Sequence, residues 1–356
     1  MCLACLLLVG CTFQPPAPKE IEAENAPVYE TVTLWCAGEE DYLSSLVESF
    51  NALGGSQVTL WSFASEEELL IALTEQRPDL LWGSEELLTR LGDAGQCTDL
   101  SPRLASPLVA PCCSGLEGAG SCLFPYWAEV PLLIGEAGDG SMEDFCARAS
   151  AASREKGEPF FSAESYAELF FSCLAQKGVP FSADKRIDGQ MREFVSLYNL
   201  LAECAWDGAL SCGEADLIKA VDSGALVCAF VPSSALWGKE VAFAVSPLPV
   251  MDGGSARCYA RVWGFGVMTS TESGEKAAAE FLTWVCADGR STSQALWRGL
   301  LPCAAEAGIP ANSALSEAMG QVYEKYTLVI SPYGDVFRAN LDGFDAEFRR
   351  AMEILH

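Results

Sequence analysis

Residues 32–102 run VTLWCAG (32–38), EEDYLSSLVESFNALGG (39–55), SQVTLWSFAS (56–65), EEELLIALTEQ (66–76), RPDLLWGS (77–84) and EELLTRLGDAGQCTDLSP (85–102). Two β-rich runs, Val32 to Cys36 and Val58 to Phe63, are each followed by apolar residues at helical spacing, and a third apolar run, Asp79 to Trp82, follows Arg77-Pro78. This β-α-β-α-β-α alternation predicts a parallel sheet covered by helices, whose ligands sit beyond the carboxyl ends of the strands. Those ends carry Trp35, then Trp61 to Phe63, then Trp82. Three successive strand ends that offer indoles suggest a binding cleft, although each indole could equally serve as a lid over the sheet.

Outward from this stretch, Pro107 to Ser121 is rich in Pro, Cys, Ser and Gly and reads as a mobile surface excursion. Residues 123–135, LFPYWAEVPLLIG, read as an extended crossing segment rather than a hairpin. Helical spacing then covers Met142 to Ala152, Ala163 to Gln176 and Ile187 to Ala205, with breaks at Gly157-Glu158-Pro159 and Gly178-Val179-Pro180. A short helix over Ala215 to Ser223 precedes strands at Gly224 to Val231, Val241 to Pro249 and Arg261 to Met268. A helix over Gly274 to Ala287 follows, and then three or four helical pieces from Ser291 to His356.

The 356 residues allow roughly two domains. With 49 acidic and 22 basic residues the net charge is −27, which opposes nucleic acid as a partner because phosphate binding needs a basic face. The single histidine, His356, leaves no Ser-His-Asp or Cys-His nucleophile and no histidine metal site. No glycine-rich phosphate loop is present. A cleft hydrolase with paired carboxylates stays open as an alternative, as does a surface lipoprotein used for sensing or adhesion.

Residues 1–11 form a short apolar run that ends Leu8-Val9-Gly10-Cys11, and a Pro- and Glu-rich tether reaches Pro27. The run resembles the lipobox of bacterial lipoproteins, which makes Cys11 the expected lipidation site, although the usual Lys or Arg before the run is missing. Of 16 cysteines, thirteen would remain after the signal and the lipidated residue, an odd number that cannot pair completely. Cys173, Cys204, Cys228 and Cys286 fall in apolar patterns, so mostly reduced thiols are expected. Cys97, Cys112, Cys113 and Cys122 are the group in which a disulfide is conceivable; the spacing is not that of a zinc knuckle.

Taken in order, VTLW, LVESFNA, RPDLLW, LLTRLGDAGQCTDLSP, FPYWAEVPLLIG, DSGALVCAFVPSSALWG, VSPLPVMDGG, WGFGVMTST, GEKAAAEFLTWVCADG and GLLPCAAEAG resemble the extracellular solute-binding proteins of bacterial ABC importers, of the sugar and oligosaccharide-binding type. The resemblance covers about residues 30–352. In place of a Tyr-Asn-Lys-Asp run that many relatives have after the crossing strand, this chain has Gly135 to Asp139. The resemblance implies an α/β, two-lobe periplasmic-binding-protein-like (type II) fold with a hinge of crossing strands. It implies a signal at 1–11, a tether at 12–29, lobe 1 at 30–128, lobe 2 at 129–260, a return to lobe 1 at 261–300 and C-terminal helices at 301–356. It also implies a monomer without cofactor or metal, held by its N-terminal lipid at the outer face of the cytoplasmic membrane or in the periplasm, which passes a solute to ABC permease subunits.

Sugars pair apolar ring faces with many hydroxyls, so their pockets combine aromatic platforms with polar groups. The candidate platforms are Trp35, Trp61, Trp82, Tyr126, Trp127, Trp237, Trp263 and Tyr333; the candidate polar partners are Glu39, Ser62, Glu129, Ser233 and Asp335. Residues 128–130 and 261–263 are expected to act as the hinge that closes the lobes on ligand.

Overall fold

The structure, a computed structural model, describes residues 30–99, 108–113, 116, 123–136, 138–179, 192–213, 216–330 and 334–355, the side chains of 334–341 excepted. The N-terminal segment with Cys11, together with Cys122 and Tyr333, lies outside the described residues, as does the side chain of Asp335.

The alternating pattern at the start of the chain folds as its periodicity predicts. Strand β1 (Thr31–Ala37) is followed by helix α1 (Glu40–Asn51), β2 (Gln57–Phe63), α2 (Glu66–Glu75), β3 (Leu80–Ser84) and α3 (Glu85–Asp93). Ser65 and Ser84 start α2 and α3 by accepting the backbone N–H three residues on, which satisfies donors that the first helical turn leaves open. The chain then enters β4 (Phe124–Glu129) and, after Val130, β5 (Pro131–Gly135). These two strands belong to different sheets, so the segment is a crossing.

Beyond the crossing come α4 (Met142–Lys156), β6 (Phe161–Ala163), α5 (Tyr166–Gln176), α6 (Arg192–Trp206), β7 (Leu210–Ser211), α7 (Leu217–Asp222), β8 (Cys228–Pro232) and β9 (Val245–Pro247). Next, β10 (Arg257–Tyr259) leads through Ala260 into β11 (Arg261–Val267), α8 (Glu272–Ala287), α9 (Arg290–Trp297) and β12 (Leu301–Pro302). The chain ends in α10 (Ala314–Lys325), β13 (Thr327–Val329) and α11 (Gly334–Leu355). The short strands β6, β7, β10, β12 and β13 are too brief for a period of two to show in sequence.

Lobe 1 is built on a six-stranded sheet of order β12-β4-β11-β3-β1-β2, and lobe 2 on a five-stranded sheet of order β7-β6-β8-β5-β9. A parallel pair, β10 with β13, accompanies them. One face of the first sheet packs on α1 and α8 through Leu43, Val47, Phe50, Phe281 and Leu282; the other face packs on α2 and α3 through Leu69, Leu87, Leu88 and Leu91. Lobe 2 closes around Phe145, Phe161, Phe170, Phe171 and Phe230, with Phe348 of α11 against Tyr166. No helix among the described residues is long and apolar enough to cross a membrane.

The segment 107–121, expected as a surface excursion, is corrected in part. Its described residues Ala110, Cys112, Cys113 and Leu116 are buried, and the Ala110 N–H donates to the Cys303 carbonyl at 2.8 Å. Small apolar side chains there fill space beside the lobe 2 core, where a mobile loop could not. Eleven described cysteines are free thiols, Cys112 and Cys113 among them, while Cys97 is disulfide-bonded. Most of the free thiols are buried, and burial pushes Cys173, Cys228 and Cys286 each up to about 12, which suits inert packing groups.

Candidate functional site

A cavity of about 540 Å³ lies where the carboxyl ends of β1 and β3 face the turn that follows β8. Lobe 1 lines it with Gly38, Glu39, Glu66, Trp82, Ser84, Leu87, Trp127, Trp263, Arg298 and Leu300; lobe 2 lines it with Ser234 and Trp237, and Glu129 stands at the crossing. Six candidates from the sequence therefore meet here: Glu39, Trp82, Trp127, Glu129, Trp237 and Trp263.

The other candidates are elsewhere. Trp35 is buried and stacks on Trp61, with ring centroids 6.1 Å apart; neither lines the cavity, and Ser62 beside them is exposed. Tyr126 is buried beneath the site, its hydroxyl 2.6 Å from that of Tyr42. Burial pushes the Tyr42 phenol up to about 12, so both groups stay neutral hydrogen-bonding partners at any ordinary pH. Ser233 is fully buried and its hydroxyl accepts the Val130 N–H at 3.2 Å, a structural bond across the crossing; its neighbour Ser234 faces the cavity instead.

The aromatic wall is rigid. Trp127 sits 4.9 Å from Tyr42, 5.5 Å from Trp82 and 5.1 Å from Tyr126, and its indole N–H donates to the Ser291 carbonyl at 3.3 Å. Trp82 reads from sequence as an open platform, but it is only 2% exposed and packs on Phe265 at 4.9 Å, so little of its ring is open to the cavity. Trp263 pairs with Trp127 on β4 and Ser84 on β3, and the ladder slips between Trp263 and Gly264. A Cβ on Gly264 would come within 2.0 Å of the Phe124 carbonyl, so this irregularity needs glycine.

The polar wall is made of ion pairs. Glu39 precedes α1 in a left-handed conformation (φ 59°), the one non-glycine residue with positive φ among the described residues. Its side chain does not cap the helix; its Oε1 lies 2.5 Å from Arg298 Nη1. A non-glycine residue there carries a backbone cost of order 1 kcal/mol, which is characteristic of residues held for a site. Arg298 also lies over the rings of Trp127 (5.1 Å) and Tyr42 (5.9 Å), a stacked cation in partial shelter. Glu66 meets Arg90 at 3.6 Å. Glu129 accepts from the Ser234 hydroxyl of lobe 2, and its Oε2 lies 3.3 Å from Arg261 Nη1, while Arg261 Nη2 bonds Glu168 on α5. Burial works against the Arg261 charge, but Glu168 and Glu129 overcome it and hold the guanidinium firmly ionised.

Arg298, Ser234 and Glu66 escaped the sequence reading. Arg298 follows a helical run and carries no motif, Ser234 is one residue from the chosen Ser233, and Glu66 sits in an acidic first turn that reads as capping. Only pairing partners distinguish such residues.

No protein-family model and no curated protein sequence matches this chain. Solved structures do. The cyclic α-maltosyl-1,6-maltose binding protein from Arthrobacter globiformis superposes with a TM-score of 0.73 at 16% identity, over 92% of this chain and 95% of that one. Its fold is that of the two-lobed solute-binding proteins. The sugar-binding protein MalE from Xanthomonas citri shares this solute-binding fold with a TM-score of 0.69 at 17% identity, over 91% and 97% of the two chains. A probable secreted solute-binding lipoprotein from Streptomyces coelicolor does so at 0.65 and 16%, over 92% and 98%. In this chain the cavity lies at the junction of the two lobes, beside the crossing at Glu129.

Proposed function

We propose that this protein is an extracellular solute-binding lipoprotein that captures a neutral saccharide between its lobes and passes it to an ABC permease. The observation that carries this reading is the charge balance of an indole-rich cavity. Each carboxylate of the wall already meets an arginine: Glu39 with Arg298, Glu66 with Arg90, and Glu129 with Arg261, which it shares with Glu168. An amino acid or peptide would need a cation for its carboxylate, and each arginine at the wall is already engaged by at least one glutamate. Fixed donors and acceptors beside apolar ring faces instead suit a polyhydroxylated ligand without net charge. Neighbours of the same fold support the class: one is described as maltose-bound, one in complex with acarbose and one with cycloalternan.

The lobe boundaries near 128/129, 260/261 and 300/301 belong to this proposal, as does lipidation at Cys11. Residues 128–130 and 261–263 serve as the hinge. Ser234 and Trp237 bring lobe 2 contacts to the same cavity, so ligand binding stabilises the form in which the two walls meet. A thermal-shift screen tests the reading, with neutral mono- and oligosaccharides set against amino acids, peptides and polyamines. A micromolar ligand at hundredfold excess adds about 2.7 kcal/mol, a shift of a few degrees. A response to charged solutes alone overturns the saccharide assignment.

A further inference from the structure

Trp237 and Trp297 are both conspicuously exposed, 50% and 60% respectively, and their ring centroids lie 5.2 Å apart at an interplanar angle of 75°. Single exposed apolar side chains are ordinary on a protein surface. This pair differs in two respects. Trp237 follows β8 of lobe 2 and Trp297 ends α9 on the lobe 1 side, so the contact spans the two walls. The pair also stands at the rim, because Trp237 lines the cavity and Arg298, directly after Trp297, lines it from the other wall.

Backbone packing fixes this meeting. A Cβ on Gly299 would lie 2.4 Å from the Ser233 carbonyl, so the end of α9 approaches the lobe 2 turn as closely as glycine allows. The approach leaves the Trp297 indole outside the cavity yet adjoining it through Trp237. By contrast, exposed Trp61 stacks on Trp35 and shares no wall with the cavity.

Building on the saccharide reading above, we infer that Trp237 and Trp297 form an outer subsite, and that the ligand is an oligosaccharide whose end emerges from the cavity to stack on Trp297. The enclosed part recognises the inner units through hydrogen bonds and the buried indoles. The rim recognises chain length through an apolar ring face, the interaction that exposed indoles supply. Trp297 is thereby a length-specificity residue that touches no inner unit.

The test is calorimetric titration of the full-length protein and of Trp297→Ala and Trp297→Phe with linear α-1,4-, α-1,6- and β-1,4-linked glucose oligomers, from disaccharide to hexasaccharide. The expected result is that wild-type affinity rises with chain length in the series that binds. Trp297→Ala should lose roughly tenfold for the longer members, equivalent to about 1.4 kcal/mol, with the disaccharide unchanged, and Trp297→Phe should recover part of the loss. Equal affinity of wild type and Trp297→Ala at every length, or an equal loss at every length, overturns the outer subsite while leaving the saccharide reading intact. Absence of binding by the wild type to every series, in a protein with a normal unfolding transition, overturns the outer subsite; silence of the thermal-shift screen to all neutral saccharides overturns the underlying reading as well. An unchanged thermal midpoint in Trp297→Ala shows that its effect is on recognition.

Discussion

Lobe 1 brings Trp82 and Trp127 to the cavity from inside a packed aromatic cluster, whereas lobe 2 brings Trp237 from an exposed turn next to Ser234. The first wall is preorganised: its rotamers are held by neighbouring rings and by the Glu39–Arg298 pair, so it costs little ordering when ligand arrives. The second wall has fewer ring neighbours: the Trp237 indole stands half-exposed, although the turn that carries it is anchored by Ser233 and Ser234. On the proposed function, the difference teaches that stability and recognition fall on the same residues in lobe 1 and on different ones in lobe 2.

The largest test of that contrast is Trp127→Ala. Removing a buried indole is expected to lower unfolding stability by about 3–5 kcal/mol, measured by urea denaturation. A loss below about 1 kcal/mol would deny the wall its structural role. Trp82→Ala is expected to behave likewise, because its ring is buried among Tyr126, Trp127 and Phe265. Next in size, Trp237→Ala should change stability by no more than about 0.5 kcal/mol yet weaken saccharide binding by roughly tenfold, about 1.4 kcal/mol. Comparable loss of fold and of affinity would erase the distinction between the lobes.

A smaller effect concerns pH. Burial, followed by the charge of Glu129, raises the Glu164 carboxyl above its ordinary value of 4.5. A carboxyl whose folded pKa is raised favours folding while protonated, so its contribution is present below about 4.5 and lost as pH rises through the raised value. The Glu164 carboxylate still meets solvent, so the step is modest. Glu164→Gln should flatten it in stability profiles taken across mildly acidic pH, and an unchanged profile would assign the step to another group. Smallest of all, Trp61→Ala should leave saccharide affinity unaltered in titration; a tenfold loss would extend the site to the β2 edge.

Much of lobe 1 was legible. The two β-rich runs and the third apolar run became β1, β2 and β3, because periods of 2 and 3.6 are local properties of a sequence. The crossing at 123–135 was legible too, since an apolar stretch with no Gly, Asn, Asp or Ser before Gly135 offers no tight turn at which to reverse. The rim was not. Trp297 lies in the same kind of helical spacing as Trp284, yet Trp284 packs on Phe50 at 5.5 Å while Trp297 stands exposed.

Sequence by itself determined the alternation of elements, the serine caps of α2, α3 and α5, the crossing strand and the supply of aromatic and acidic residues from which a cleft could be built. Tertiary structure alone decided which indoles face the cavity. Trp35 aligns with Trp61 and Leu81, whereas Trp82 aligns with Cys36 and Phe265. Side chains alternate across a strand, so this offset of one residue sends Trp82 to the opposite face of the sheet from Trp35 and Trp61. Register is set by pairing between segments far apart in the chain, and no local pattern in any one of them contains it.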